Sequence, residues 1–370
     1  MKKKYKILFI SGDGIAEPKN KWKNYFNYFD GYSKNYFITK AFKSIVNNCE
    51  ILNFSHSLRH PIAIFKLESL SIPGSTFLRI KTIILINYCI HKIIYWKIKS
   101  NSYDLIIFSD NLFFINEKLI KVYNKLTLSK IILLSGVSPN LFLSKPQKEC
   151  IPYFDIIFIS DPGHEMEWKD YGARNVICLP ISAGCPNTFQ KVAKNYNIRR
   201  KYDIVFIGRL DTGSNEHRIK ILNFLIKEGV NIKIWTWFLS KKFINKYPLL
   251  NKHVVGSAYG KEMVKIISQS KIALNIHDPS VPYGGNMRLF EIPATKSLQI
   301  ADKCPQDWFK DGDEIVIYKN NQDLLQKINY FIDNDEERER IAKNGYEKLV
   351  RKHQYKHRTK KILESISITG

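Results

Sequence analysis

The residues best suited to chemistry lie between positions 270 and 302, in SKIALNIHDPSVPYGGNMRLFEIPATKSLQIAD. Gly284 and Gly285 sit in a loop also punctuated by Pro279 and Pro282, and Asn286 can cap the helix that follows. The N–H groups of Gly285 and Asn286, with the helix dipole, suit an anionic group such as a phosphate. Glu291 lies about one turn further in and can face the same cleft. His277 ends the preceding strand and reads either as a satisfied strand-end histidine or as a ligand contact. A second set begins at Gly208 and Arg209, after the apolar run YDIVFI, and continues at His217 and Arg218, which open a helix. Arg209 and Arg288 can offer forked cationic donors to phosphate oxygens, or serve as structural ion-pair formers. A third set, Asp13, Asp110 and His164 (with Asp161), lies just beyond strands of the first half. A base there can take a proton from a hydroxyl, although Asp-Pro-Gly before His164 is also an ordinary turn.

The elements that must position these groups form an alternating pattern. Apolar runs without polar alternation occur at 6–10, 49–54, 104–108, 131–134, 155–159 and 176–179. A second series occupies 202–207, 230–236, 254–256, 272–276, 298–301 and 315–318. Such runs predict parallel strands covered on both faces. Helical stretches separate them, including 39–46, 117–126, 165–171, 217–229, 261–268, 321–332, 335–352 and 355–363. The fold class is therefore α/β with doubly wound sheets, whose ligands lie beyond the carboxyl ends of the strands. Residues 182–200 are polar and irregular and read as a linker. This gives a first domain over 1–186 and a second over 200–352, with the helix of 353–370 packing back on the first.

Composition bounds the function. The 370 residues carry 58 Lys+Arg against 34 Asp+Glu, a formal charge of +24. Residues 1–150 hold 23 basic and 9 acidic residues, so +14 of that charge lies there. Such a field favours anionic partners. The six cysteines show no CxxC spacing, which argues against a zinc site or a disulfide framework and for a reducing, cytoplasmic setting. Asp311 and Asp313 flank Gly312 in a turn remote from the glycine-rich loop, so no metal or other cofactor is expected. The run 83–96 is broken by Asn87, His91 and Lys92 and is shorter than the roughly 20 residues a span needs. It reads as a core-facing helix or as a helix lying on an anionic membrane surface.

DIVFIGRL, SKIALNIH and NMRLFEIPATKSLQIAD, followed by the 311–353 segment, make residues 202–365 resemble the group 1 glycosyltransferases of GT-B architecture. The likeness is to the branch typified by the spore-maturation protein CgeB. It implies two Rossmann-like domains facing each other across a cleft, with a nucleotide-sugar donor bound mainly by the second. Glu291 matches the glutamate that hydrogen-bonds the nucleotide ribose, Gly208 and Arg209 match the turn beside the diphosphate, and Asn286 and Arg288 match a polar pair near the donor. Met287, Gly284, Gly285 and His277 fall in the same donor region, and Arg218 stands in for a missing lysine after the Gly-Arg turn. The chain departs from the family at Tyr283, where another glutamate is common, and at Lys296, where glycine is usual.

The resulting expectation is metal-independent, retaining glycosyl transfer to a glycan, lipid-linked or protein acceptor, in the cytoplasm or at the inner face of the membrane. Two rivals stay open. A non-catalytic module of the same fold would grip anionic glycans or membranes. A nucleic-acid binder would use the lysine- and aromatic-rich stretch 19–36, which lacks any recognised module.

Overall fold

A computed structural model of the chain describes residues 3–11, 34–54, 75–109, 115–194, 200–210, 215–236, 239 and 241–368. The chain divides into two compact units, Met1–Ile181 with Arg358–Gly370, and Ser182–His357.

In the first unit, β1 (Lys3–Ser11) leads to α1 (Lys34–Ile45), β2 (Val46–Asn53) and α2 (Ser75–Lys99). Then follow β3 (Leu105–Ser109), α3 (Glu117–Leu126), β4 (Lys130–Ser135), β5 (Ile156–Ile159), α4 (Glu165–Asp170) and β6 (Val176–Cys178). The strands pair in parallel in the order β2-β1-β3-β4-β5-β6. Every residue of β3 and β5 is buried, which accounts for their unbroken apolar sequence. Asn116 caps α3 by accepting from the Leu119 N–H at 3.1 Å.

The second unit opens with a helix, α5 (Pro186–Lys194), inside the segment read above as irregular linker. Pro186 suits the first helical turn, and Phe189 and Ala193, four residues apart, are buried. With so short an apolar stripe, the polar surroundings dominate the sequence pattern. After it come β7 (Tyr202–Ile207), α6 (Glu216–Lys227), β8 (Ile232–Trp235), β9 (Val254–Gly256) and α7 (Gly260–Ser268). Next are β10 (Ser270–Asn275), α8 (Arg288–Ala294), β11 (Leu298–Ala301), β12 (Val316–Ile317), α9 (Asn321–Asp333) and α10 (Asp335–Lys352). The sheet is parallel, in the order β12-β11-β10-β7-β8-β9. Strand order reverses between β7 and β10, the switch point where such sheets leave a crevice. Last in the chain, α11 (Tyr355–Ile368) begins in the second unit and continues as part of the first.

Three contacts brace α8 and its neighbours at that switch point. Phe290 packs against Trp308, Phe309 and His353, with ring centroids 5.5–6.1 Å apart. Arg200 donates to Ser268 O and Lys296 O, carbonyls left over where α7 and α8 end, and to Ser270 O at the start of β10, all at 2.9–3.1 Å. Gly345 lets α10 press against the Glu314 carbonyl, where a Cβ would collide.

Candidate functional site

At the carboxyl ends of β7, β10 and β11, most of the sequence-predicted donor residues converge. Gly208 ends β7, its N–H bonded to Trp235 O at 3.0 Å, and the exposed Arg209 follows. Arg218, in the first turn of α6, reaches back across this end. Its Nε donates to Ile276 O at 3.0 Å, and its Nη1 to Asn215 Oδ1 at 2.6 Å and Arg209 O at 3.3 Å. Its Nη2 has no partner among the described residues. Burial, together with the charges of Arg209 and Arg288, lowers the Arg218 pKa, against the pull of Asp278 and Asp302. An arginine this basic nevertheless stays charged.

Arg288 starts α8. Its Nε donates to Ile207 O at 3.3 Å and its Nη1 pairs with Glu291 Oε2, leaving Nη2 without a partner among the described residues. Glu291 is buried in this pair, at 5% exposure. Asn286 stands one residue ahead of the cap position, Met287, yet its Oδ1 accepts from the Leu289 N–H at 3.1 Å and so still closes the first turn. Its Nδ2 donates to Asn275 Oδ1 at 2.7 Å, fastening the loop to the end of β10. Gly284 and Gly285 are buried, and a Cβ at Gly285 would strike Leu289 and come within 2.8 Å of Trp308. With seven residues α8 is short, so its dipole adds little and the side chains carry the charge.

His277 is fully enclosed. Its Nδ1 donates to Asp302 Oδ1 at 2.6 Å, and Asp302 also takes the His277 backbone N–H at 3.1 Å. Burial would raise the Asp302 pKa, but the hydrogen bonds it accepts from the His277 ring and backbone N–H hold it below the usual carboxylate value. This arrangement leaves His277 Nε2 as a buried acceptor without a partner among the described residues, as is the Asn275 Nδ2 donor. His217 Nε2 donates to His277 O at 2.7 Å, so the two histidines brace one another. Asn215, Asn275 and Asp302 escaped the sequence reading. Asp302 is 25 residues from the histidine it orients, and no spacing rule links them.

The acceptor-side candidates belong to the first unit. Asp13 and Asp110 lie outside the described residues, as does all of 19–33. His164 is buried and pairs through Nδ1 with Glu167 Oε1 at 2.9 Å, while Asp161 accepts from the Gly163 N–H at 2.8 Å. Glu167, the partner of His164, sits one helical turn on and also takes the Ser138 hydroxyl at 2.5 Å. At the switch point between β1 and β3, Asn35 donates to Ser11 Oγ at 2.9 Å and accepts from Ser109 Oγ at 2.8 Å. This buried polar bridge had no sequence signal, because its members lie 24 and 74 residues apart. Among the described residues no three His, Cys, Asp or Glu side chains group as metal ligands.

Residues 218–364 match the glycosyl transferase-like family. The match begins at Arg218, takes in the loop and α8, and runs into α11. A search of curated protein sequences gives no match. Among solved structures, a glycosyltransferase from Rickettsia africae ESF-5 aligns over 98% of this chain and 98% of its own, at 14% identity and TM-score 0.59. Anabaena Alr3699/HepE in complex with UDP and glucose aligns over 98% and 99%, at 13% identity and TM-score 0.59. A UDP-forming α,α-trehalose-phosphate synthase from Burkholderia xenovorans aligns over 98% and 99%, at 11% identity and TM-score 0.60. These likenesses concern the fold, which is the two-domain α/β GT-B architecture of Rossmann-like units.

Proposed function

We propose that the chain is a glycosyltransferase of the group 1, CgeB-like type, moving a sugar from a nucleotide-sugar donor to an acceptor hydroxyl. The observation that supports this best is electrostatic. Arg218 is held at the β7–β10 switch point near Arg209 and Arg288, whose charges add to the burial that lowers its pKa. Two of their Nη2 groups are without partners among the described residues, and a diphosphate would satisfy both and relieve the repulsion. In this reading Arg218 and Arg288 hold the diphosphate and stabilise the charge that grows on it as the glycosidic bond breaks. Glu291 keeps lone pairs beyond its bond to Arg288 and accepts from the ribose hydroxyls. Asp302 fixes the tautomer and ring orientation of His277, which braces the end of β10 behind the donor loop.

With guanidinium groups supplying the positive charge, the reaction needs no metal; retention at the anomeric carbon is what the family resemblance implies. Acceptor binding is assigned to the first unit, with Asp13, Asp110 and His164 as candidate bases. UDP-sugars are the first donors to try, because two of the similar structures carry UDP in their names. The test is a melting-temperature screen across nucleotides and nucleotide-sugars, followed by nucleotide release in EDTA. A panel that neither shifts melting nor yields nucleotide would end the proposal. A second reading, a binding module that holds the donor without turnover, is favoured by Tyr283. That residue is 68% exposed at a place where another glutamate is common in the family that the chain resembles. Binding without release would select that reading.

A further inference from the structure

We propose that one face of α2 docks the first unit onto an anionic bilayer surface. The helix carries Arg79, Lys81, Lys92, Lys97 and Lys99 and no acidic residue over 25 positions. Ile90, Ile94 and Ile98 recur every four residues and are buried in the core of the first unit. The opposite side is not the polar face an ordinary surface helix presents. Leu85, Tyr88, Ile93 and Trp96 line up there at helical spacing, and Leu85 and Trp96 are 61% and 56% exposed. Single exposed apolar residues are common, but an ordered stripe of them is not. Lys92 lies over the Tyr88 ring at 5.4 Å and Lys99 over Trp96 at 5.4 Å. Aromatic rings with a lysine at their edge suit the interfacial layer, where the ring sits among headgroups and the ammonium meets lipid phosphate.

Beside the stripe lies a groove of about 560 Å³ whose lining includes Ile51, Phe54, Leu85, Cys89 and Ile93, continuing the apolar surface toward β2. The charge decides the occupant. A second copy would bring lysines against lysines, whereas an acidic lipid surface complements a carboxylate-free helix within residues 1–150, whose excess charge is +14 from 23 basic less 9 acidic residues. No described helix is long and apolar enough to cross a membrane, so the contact would be peripheral.

The test is co-sedimentation with vesicles of equal parts phosphatidylcholine and phosphatidylglycerol. The wild-type chain is expected to sediment with them, to stay in solution with phosphatidylcholine alone, and to be released by salt. The double substitutions I93E/W96E and K92E/K99E are each expected to weaken binding at least about tenfold. Both should keep the wild-type melting temperature and nucleotide-sugar response, since none of the four side chains belongs to the donor site. Sedimentation unchanged in both variants, or equal on neutral vesicles, would overturn the proposal. It would also fail if the wild-type chain proved a dimer that I93E/W96E splits, or if duplex DNA displaced the vesicles at equal charge.

Discussion

Lys296 is the described non-glycine residue with positive φ, at 63°. An L-residue there loses about 1–2 kcal/mol to contact between its Cβ and the backbone, which explains why glycine is usual at this place in the family it resembles. Part of the loss is offset by its ammonium, 4.6 Å from the Tyr346 ring centroid, worth about 0.5–1 kcal/mol. Glycine would relieve the backbone but add chain entropy in the unfolded state. Lys296→Gly is therefore expected within about 0.5 kcal/mol of wild type, and Lys296→Ile about 2 kcal/mol less stable, in denaturant melts. Glu291 carries the functional prediction at this scale. Glu291→Gln keeps the buried shape and removes the charge. Calorimetry should show donor affinity reduced by roughly 1–3 kcal/mol; unchanged affinity would remove the ribose assignment.

Between elements, α2 and α3 meet at one titratable contact. The Tyr123 hydroxyl, fully buried, lies 3.0 Å from His91 Nδ1 and can donate to it while the imidazole is neutral. Burial pushes the His91 pKa down to about 4, from the ordinary value near 6.5. Between these two values the unfolded chain binds the extra proton and the native chain does not, so stability falls as pH drops through that window. The residue is only partly buried, so the loss is screened to roughly 1–2 kcal/mol. Melts at pH 7, 5.5 and 4 should show this slope, and His91→Gln should flatten it. The same two helices show how far sequence reaches. The buried positions of α2 are legible as a four-residue rhythm, but the stripe opposite is equally apolar, so hydrophobicity alone could not say which side faces the core. β3 and β5 are plain in sequence because they are covered on both faces. Helix α5 is not, since its buried residues Pro186, Phe189 and Ala193 are small or isolated among polar neighbours. In the candidate site, Arg218, Arg288 and Glu291 stand out by type, while Asn215, Asn275 and Asp302 act through contacts that the fold alone creates.

For the whole molecule, ligand and chain connectivity act on different units. A donor held at one hundred times its Kd adds about 2.7 kcal/mol to the unit that binds it. Two melting transitions are therefore expected, with nucleotide-sugar raising that of residues 182–357. A chain ending at His357 tests the other unit. It removes Ile362 and Leu363, each 1% exposed, and so uncovers about 3–6 kcal/mol of apolar burial. That is a large part of the 5–15 kcal/mol typical of a domain. Proteolysis should then cut residues 34–181 readily while the nucleotide-sugar response of the other unit survives.

The route of α11 also bears on how the protein is made. Translation delivers the whole of residues 182–357 before the segment that completes the packing of the opening sheet. A nascent chain stalled near residue 340 would hold its first-synthesised portion unfinished, a substrate for chaperones until residues 358–368 have been added.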